Sequence, residues 1–156
     1  MPRRTRGSVR HAPRGFCVST FGNSLHVEET STFTYTMPDR LEALPGLRTE
    51  LRAWLSRSDV DRDTTEDIVF AAWEVCANAV EHPVDPKHHD VTLVATVGSS
   101  GVCVVVEDSG SWRDGVPRPG RGLGLRLARA MVDRMSIVRQ SPGTEVVLWR
   151  STGGHA

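Results

Sequence analysis

The run from Glu74 to His82, EVCANAVEH, constrains this chain more than any other stretch, because it sets polar side chains of different chemistry into an apolar helical segment. At about 100° per residue, Asp67, Glu74, Asn78 and Glu81 fall within one narrow stripe. Ile68, Val69, Ala72, Val75, Cys76, Ala79 and Val80 fall on the opposite side, which is the face a helix buries against a sheet. A solvated amphipathic face is the plain explanation of such a stripe. Two features argue for more. The small residues Ala71, Ala77 and Ala79 let another group approach closely, and glycine-rich stretches follow downstream.

The segments around this helix define the fold class. Ser31 to Met37 alternates, with Phe33 and Tyr35 on one face, and reads as a strand ended by Pro38. Leu44, Leu47, Leu51, Trp54 and Leu55 recur at helical spacing between about Asp39 and Arg57, and Pro45 fits only near the first turn. Thr64 with Asp67 resembles a capping box at the start of the central helix, and Pro83 and Pro86 end it. Val91–Val97 and Val102–Val106 are β-branched runs joined by Gly98-Ser99-Ser100-Gly101, a hairpin. A loop rich in Gly, Pro and Arg runs from Gly110 to Gly122, then a broadly apolar helix to about Met135, then strands at Ser136–Arg139 and Thr144–Trp149. Strands and helices in this order specify a two-layer α/β sandwich, with a mixed, largely antiparallel sheet and helices on one face.

Length and charge narrow the function classes. A chain of 156 residues suits one domain, placed at residues 31–150, with residues 1–30 an Arg-rich disordered tail and 151–156 a frayed end. Nineteen Lys and Arg against nineteen Asp and Glu give no net charge, so no direct nucleic-acid or membrane partner is expected. With no apolar run near the length of a membrane helix and no signal-peptide core, the expected location is the cytoplasm. Cys17, Cys76 and Cys103 lack C-x-x-C spacing and read as reduced thiols. His82, His88 and His89 match no familiar metal-ligand set.

Four boxes then line up: Glu74-x-x-x-Asn78 on a helix, Asp108-x-Gly110 at a strand end, Gly122-Leu123-Gly124 opening a helix, and Gly143-Thr144 entering the last strand. In this order they resemble the N, G1, G2 and G3 boxes of the histidine-kinase-like, gyrase-type ATPase superfamily. Within it, the short layout and the NAVEH ending look most like the anti-sigma factor serine/threonine protein kinases. The resemblance covers about Thr32 to Arg150.

That resemblance implies a cytoplasmic protein serine kinase that uses ATP and Mg²⁺, phosphorylates an anti-anti-sigma (STAS-type) antagonist and holds or releases a sigma factor. Dimerisation, common in such relatives, is left open. By resemblance, Glu74 is the general base and Asn78 the single protein ligand of Mg²⁺, a metal that keeps several waters and favours oxygen donors. Asp108 accepts from the adenine amino group, and Gly110 leaves room for the ring. Gly122, Leu123 and Gly124 offer backbone N–H groups and a helix dipole to the phosphates. Arg118 and Arg121, in the loop before those glycines, are candidates to neutralise the γ-phosphate, Thr144 resembles the pocket-floor hydroxyl, and His82 matches the family's histidine after the asparagine. Trp112 stands where the superfamily's D-x-G-x-G has its second glycine, which favours the alternative of a non-catalytic nucleotide-binding or partner-sequestering module. A sensor histidine kinase domain is the third class, and the thirty residues before the first strand cannot supply its phosphoacceptor helix pair.

Overall fold

The structure, a computed structural model, describes residues 31–81, 90–108, 123–139 and 143–152. Strand β1 spans Ser31–Pro38, and a single 3-10 turn at Leu41–Ala43 leads into helix α1, Leu44–Arg57. Helix α2 is Arg62–Glu81, strands β2 and β3 are Asp90–Val97 and Gly101–Asp108, helix α3 is Leu123–Met131, and strands β4 and β5 are Arg134–Arg139 and Thr144–Ser151. The five strands form one sheet in the order β1-β2-β3-β5-β4. All four pairings are antiparallel. This is the expected two-layer sandwich.

Register places the core on one side of the sheet. Leu93, Val106 and Val146 lie in one cross-strand row, and Ala95, Val104 and Leu148 in the next. All six are buried, in one cluster with Leu51, Leu55, Ile68, Val75 and Cys76 of α1 and α2. Alternation along β2 and β5 is the period-two signal of a half-covered sheet. Phe33 of β1 stacks on Trp54 of α1 with ring centroids 5.4 Å apart, pinning the edge strand to the helix layer.

Helix boundaries have local chemical causes. Pro45 stands in the first turn of α1, where its missing N–H costs nothing. At the other end Asp59 adopts a left-handed conformation, φ 56°, and the Val60 N–H reaches back to the Leu55 carbonyl, a Schellman closure usually given to glycine. The start of α2 corrects the sequence reading: Asp61, not Thr64, is the cap, its Oδ1 accepting from the Thr64 backbone N–H at 2.9 Å. Thr64 is buried inside the first turn. Asp67 is engaged elsewhere, as described below.

Helix α3 also departs from expectation. It ends at Met131 rather than Met135, because the next residues are tied to β5. The Asp133 N–H donates to the Trp149 carbonyl at 3.0 Å, and the Asp133 carboxylate accepts from the Ser151 backbone N–H and hydroxyl at 2.7 and 3.0 Å. Met135 still packs on the core, from a strand. Nor is α3 broadly buried: Ala128 is its one buried residue, while Leu123 and Leu127 are exposed. Ser151, expected to fray, pairs with Gly101 as the last residue of β5. The Arg-rich tail and residues 153–156 lie outside the described residues.

Candidate functional site

Two lengths orient the helices over the sheet. Near the start of α2, Asp67 Oδ2 lies 2.7 Å from Arg150 Nη2 at the end of β5. From Asp67 to Asn78 a helix advances about 16 Å, and from Arg150 back to Thr144 a strand covers about 20 Å. The chain leaves α2 at Glu81 and re-enters the sheet at Asp90, beside the row that holds Asp108. Helix α2 therefore runs from the Arg150 end of the sheet toward the Asp108–Thr144 end.

Helix α3 runs the other way. Its last carbonyl, that of Met131, accepts from Arg150 Nη1 at 2.8 Å. Its first turn lies against Glu74: a Cβ built on Gly124 would overlap Glu74 Oε2 and stand 3.1 Å from Cδ. The positive end of the α3 dipole thus points toward the Asp108–Thr144 end, and the Glu74 carboxylate touches its first turn.

Asp108 and Thr144 are direct cross-strand partners of β3 and β5. They lie on the helix-facing side, in the row that also contains Met37 and Val91. Both are buried, at 8% and 4% exposure, where polar side chains are unusual unless something engages them. Thr144 Oγ1 has no hydrogen-bond partner. Just before it, Gly143 has φ 113°, a conformation L side chains rarely adopt, so the residue leading into the strand must be glycine. A buried carboxylate beside an orphaned hydroxyl, at the end of the sheet toward which a helix N-terminus points, fits a ligand that both donates hydrogen bonds and carries negative charge.

The polar stripe of α2 is not a solvated face. Asp67, Glu74 and Asn78 are each half-buried, and between Thr64 and Val80 the only exposed residue is Glu66, whose bidentate pair with Arg52 lies on the surface. Packing of α3 onto α2 covers the stripe at Glu74, which Gly124 meets, and Arg150 of β5 covers it at Asp67. Cys76, on the opposite side, is fully buried, and burial pushes its thiol pKa up to about 12, so it takes no part as a nucleophile. Cys103 is also buried and free, and Cys17 lies outside the described residues.

The structure brings Glu74 to Gly124 and Asp108 to Thr144, and sets Asn78 one turn beyond Glu74 on α2. Leu123 is the exposed first residue of α3. His82, Gly110, Arg118, Arg121 and Gly122 lie outside the described residues, as do His88 and His89. Sequence reasoning missed the link from Asp67 through Arg150 to Met131, which fixes α2 and α3 to the same strand. A signal existed. Arg150 has the inward parity of Thr144, Val146 and Leu148, and an arginine on the core side of a strand requires a partner.

Residues 37–150 match the histidine kinase-like ATPase domain. Among solved structures, the crystal structure of the RsbU and RsbW domains of Rv1364c from Mycobacterium tuberculosis superposes with a TM-score of 0.60 at 27% identity. The match covers 78% of this chain and 32% of that one, so this chain spans about a third of its neighbour. No helix among the described residues is long and apolar enough to cross a membrane. With its helix-on-sheet layers and a match over residues 37–150, the chain belongs to the histidine kinase-like ATPase domain family.

Proposed function

We propose that this protein is an ATP- and Mg²⁺-dependent serine kinase that phosphorylates an anti-anti-sigma (STAS-type) antagonist and regulates a sigma factor by sequestering it. The observation that carries the reading is the buried Asp108–Thr144 pair with its orphaned hydroxyl. A sheet interior does not hold such a pair without a use for it, and an adenine amino group is a donor suited to the carboxylate. Likeness to a chain with an RsbW domain supports the serine-kinase branch.

Each residue then has a physical task. Asp108 and Thr144 bind the base, and Gly110 is assigned, by the family resemblance alone, to leave room for the ring. The first turn of α3, with Leu123 and Gly124, meets the phosphates with N–H groups and dipole, a task the resemblance extends to Gly122. Asn78 offers its amide oxygen to Mg²⁺. Arg118, Arg121 and His82 complete the phosphate surroundings. Bound ATP supplies the γ-phosphoryl group, and Mg²⁺ neutralises its charge. Glu74 takes the proton of the attacking serine hydroxyl. Phosphorylation adds negative charge to the antagonist and weakens its docking, freeing the kinase to hold the sigma factor.

The second reading, a non-catalytic module that sequesters a partner, rests on Trp112 in the G1 box. Calorimetric titration with a non-hydrolysable ATP analogue tests the pocket, and transfer of the γ-phosphate to a serine of the antagonist separates a kinase from a module that only binds nucleotide. Magnesium-dependent binding in the micromolar range, about −8 kcal/mol, is expected, and Asn78→Ala should remove the magnesium dependence. Absence of binding with and without Mg²⁺ would give the second reading.

A further inference from the structure

Gly124 is the second residue of α3, a helix of nine residues. Glycine is the poorest helix former after proline, because it forfeits the most backbone freedom on folding, so its place inside a first turn has a cause. Close approach of phosphate to the backbone is one cause, and it asks nothing of Glu74. The structure holds another. In a helix the Cα–Cβ bond tilts toward the N-terminus, and along that direction from Gly124 lies the Glu74 carboxylate. A Cβ there would overlap Oε2 and approach Cδ to 3.1 Å.

The two helices are fixed, so a side chain at 124 would act on the end of Glu74 and push its carboxylate out of this place. Glu74 belongs to α2, whose flanking residues Trp73, Val75, Cys76 and Ala77 are buried or partly buried in the core. Helix α3 is held at its far end by Arg150 on the Met131 carbonyl, and the same guanidinium is paired with Asp67 of α2. The two helices are therefore pinned to one strand at one end and meet, at the other, through a carboxylate lodged where a side chain would be.

We propose that Gly124 is a positioning residue for Glu74: its missing side chain forms the notch that seats the carboxylate against the first turn of α3. The inference rests on the assignment of Glu74 as general base. The notch sets the base at a fixed offset from the turn that binds phosphate, and so from the serine hydroxyl. Misplacement of a reacting group by about 1 Å costs on the order of a hundredfold in rate.

A double-mutant cycle tests this on the full chain. Melting temperatures are measured for wild type, Gly124→Ala, Glu74→Ala and the double variant. Gly124→Ala is expected to lower the melting temperature when residue 74 is glutamate and to raise it when residue 74 is alanine, because the helix then gains a better residue in an empty notch. If Gly124→Ala alone does not fold, the double variant should. The same sign in both backgrounds, or a double variant that stays unfolded, overturns the proposal.

Phosphotransfer gives a readout that packing alone does not move. Glu74→Asp, which draws the carboxylate back by one methylene, should slow wild type at least tenfold yet speed up the Gly124→Ala protein. Loss in both backgrounds counts against the notch. If wild type shows no transfer, the kinase reading fails while the melting cycle still reports on Gly124 and Glu74.

Discussion

The two ends of this sandwich are built on opposite plans. At one end, Arg150 of β5 binds the Asp67 carboxylate and the Met131 carbonyl, and Asp133 accepts two hydrogen bonds from Ser151. Asp61 caps α2 at the same end. Charge here meets charge or a hydrogen bond, save for Arg150 Nε, which is buried with no partner. At the other end, Asp108 and Thr144 are buried on the same side of the same two strands, with a hydroxyl that bonds to nothing. The first arrangement fastens helices to sheet. The second leaves the buried Thr144 hydroxyl without a partner, which supports the proposal that this end receives a ligand.

The comparison breaks most decisively at Glu74. Glu74→Ala should slow phosphotransfer about a thousandfold while ATP binding, measured by calorimetry, stays within a few-fold. Retained transfer would remove the base assignment. Next in size is the fastened end. Arg150→Met leaves Asp67 partly buried without its cation and should cost about 2–3 kcal/mol, which for a chain of this size lowers the melting temperature by about 5–10 °C. Nucleotide affinity of the folded protein should hardly change, because the altered group lies at the opposite end of the sheet. An equal loss of affinity would mean that the two ends are coupled.

Thr144→Val carries the contrast at a smaller scale. Removing an orphaned buried hydroxyl should leave stability unchanged or raise it by up to about 1 kcal/mol. Affinity for the ATP analogue should fall about five- to tenfold, one hydrogen bond's worth. Stability and binding thus move in opposite directions, and a variant that lost stability but bound normally would make Thr144 a structural residue.

The smallest effect concerns acid. Hydrogen bonds from the Thr64 backbone and hydroxyl hold the Asp61 carboxyl below the usual carboxylate range. A depressed folded pKa means that the capping contribution is complete above the unfolded value and is lost as pH falls through the folded one. Wild type should therefore lose more melting temperature than Asp61→Asn between neutral pH and the acid range below about 4. Parallel curves would show that the cap is not the group responding.

How much of this was legible before folding depends on the range over which each signal acts. Strand and helix positions followed from the alternation of Ser31–Met37, from β-branched runs and from helical spacing, all of which are local, whereas the alternating burial of β2 and β5 appears only once one face of the sheet is covered. Boundaries were less legible where a distant group decided them. Met135 suits an apolar stripe of period 3.6 as well as one of period 2, and what ended α3 early was the attachment of Asp133 to Trp149 and Ser151. Asp61 and Thr64 are both cap-forming residue types, and only the hydrogen bond chose between them. Exposure of Leu123 and Leu127 was illegible for a similar reason: an apolar stripe says that a helix has a face, not how much of it a neighbour will cover.

The sequence by itself determined the layer architecture, the identity of the apolar positions, and the four polar and glycine boxes that carry the family resemblance. These depend on residue type and spacing along the chain. Tertiary structure decided which of those boxes meet. Fifty residues separate Glu74 from Gly124, and thirty-six separate Asp108 from Thr144, and no local rule spans such gaps. Antiparallel register set Asp108 beside Thr144. The clamp of Arg150 on Asp67 and Met131 laid α3 along α2, so that a missing side chain came to rest against a carboxylate.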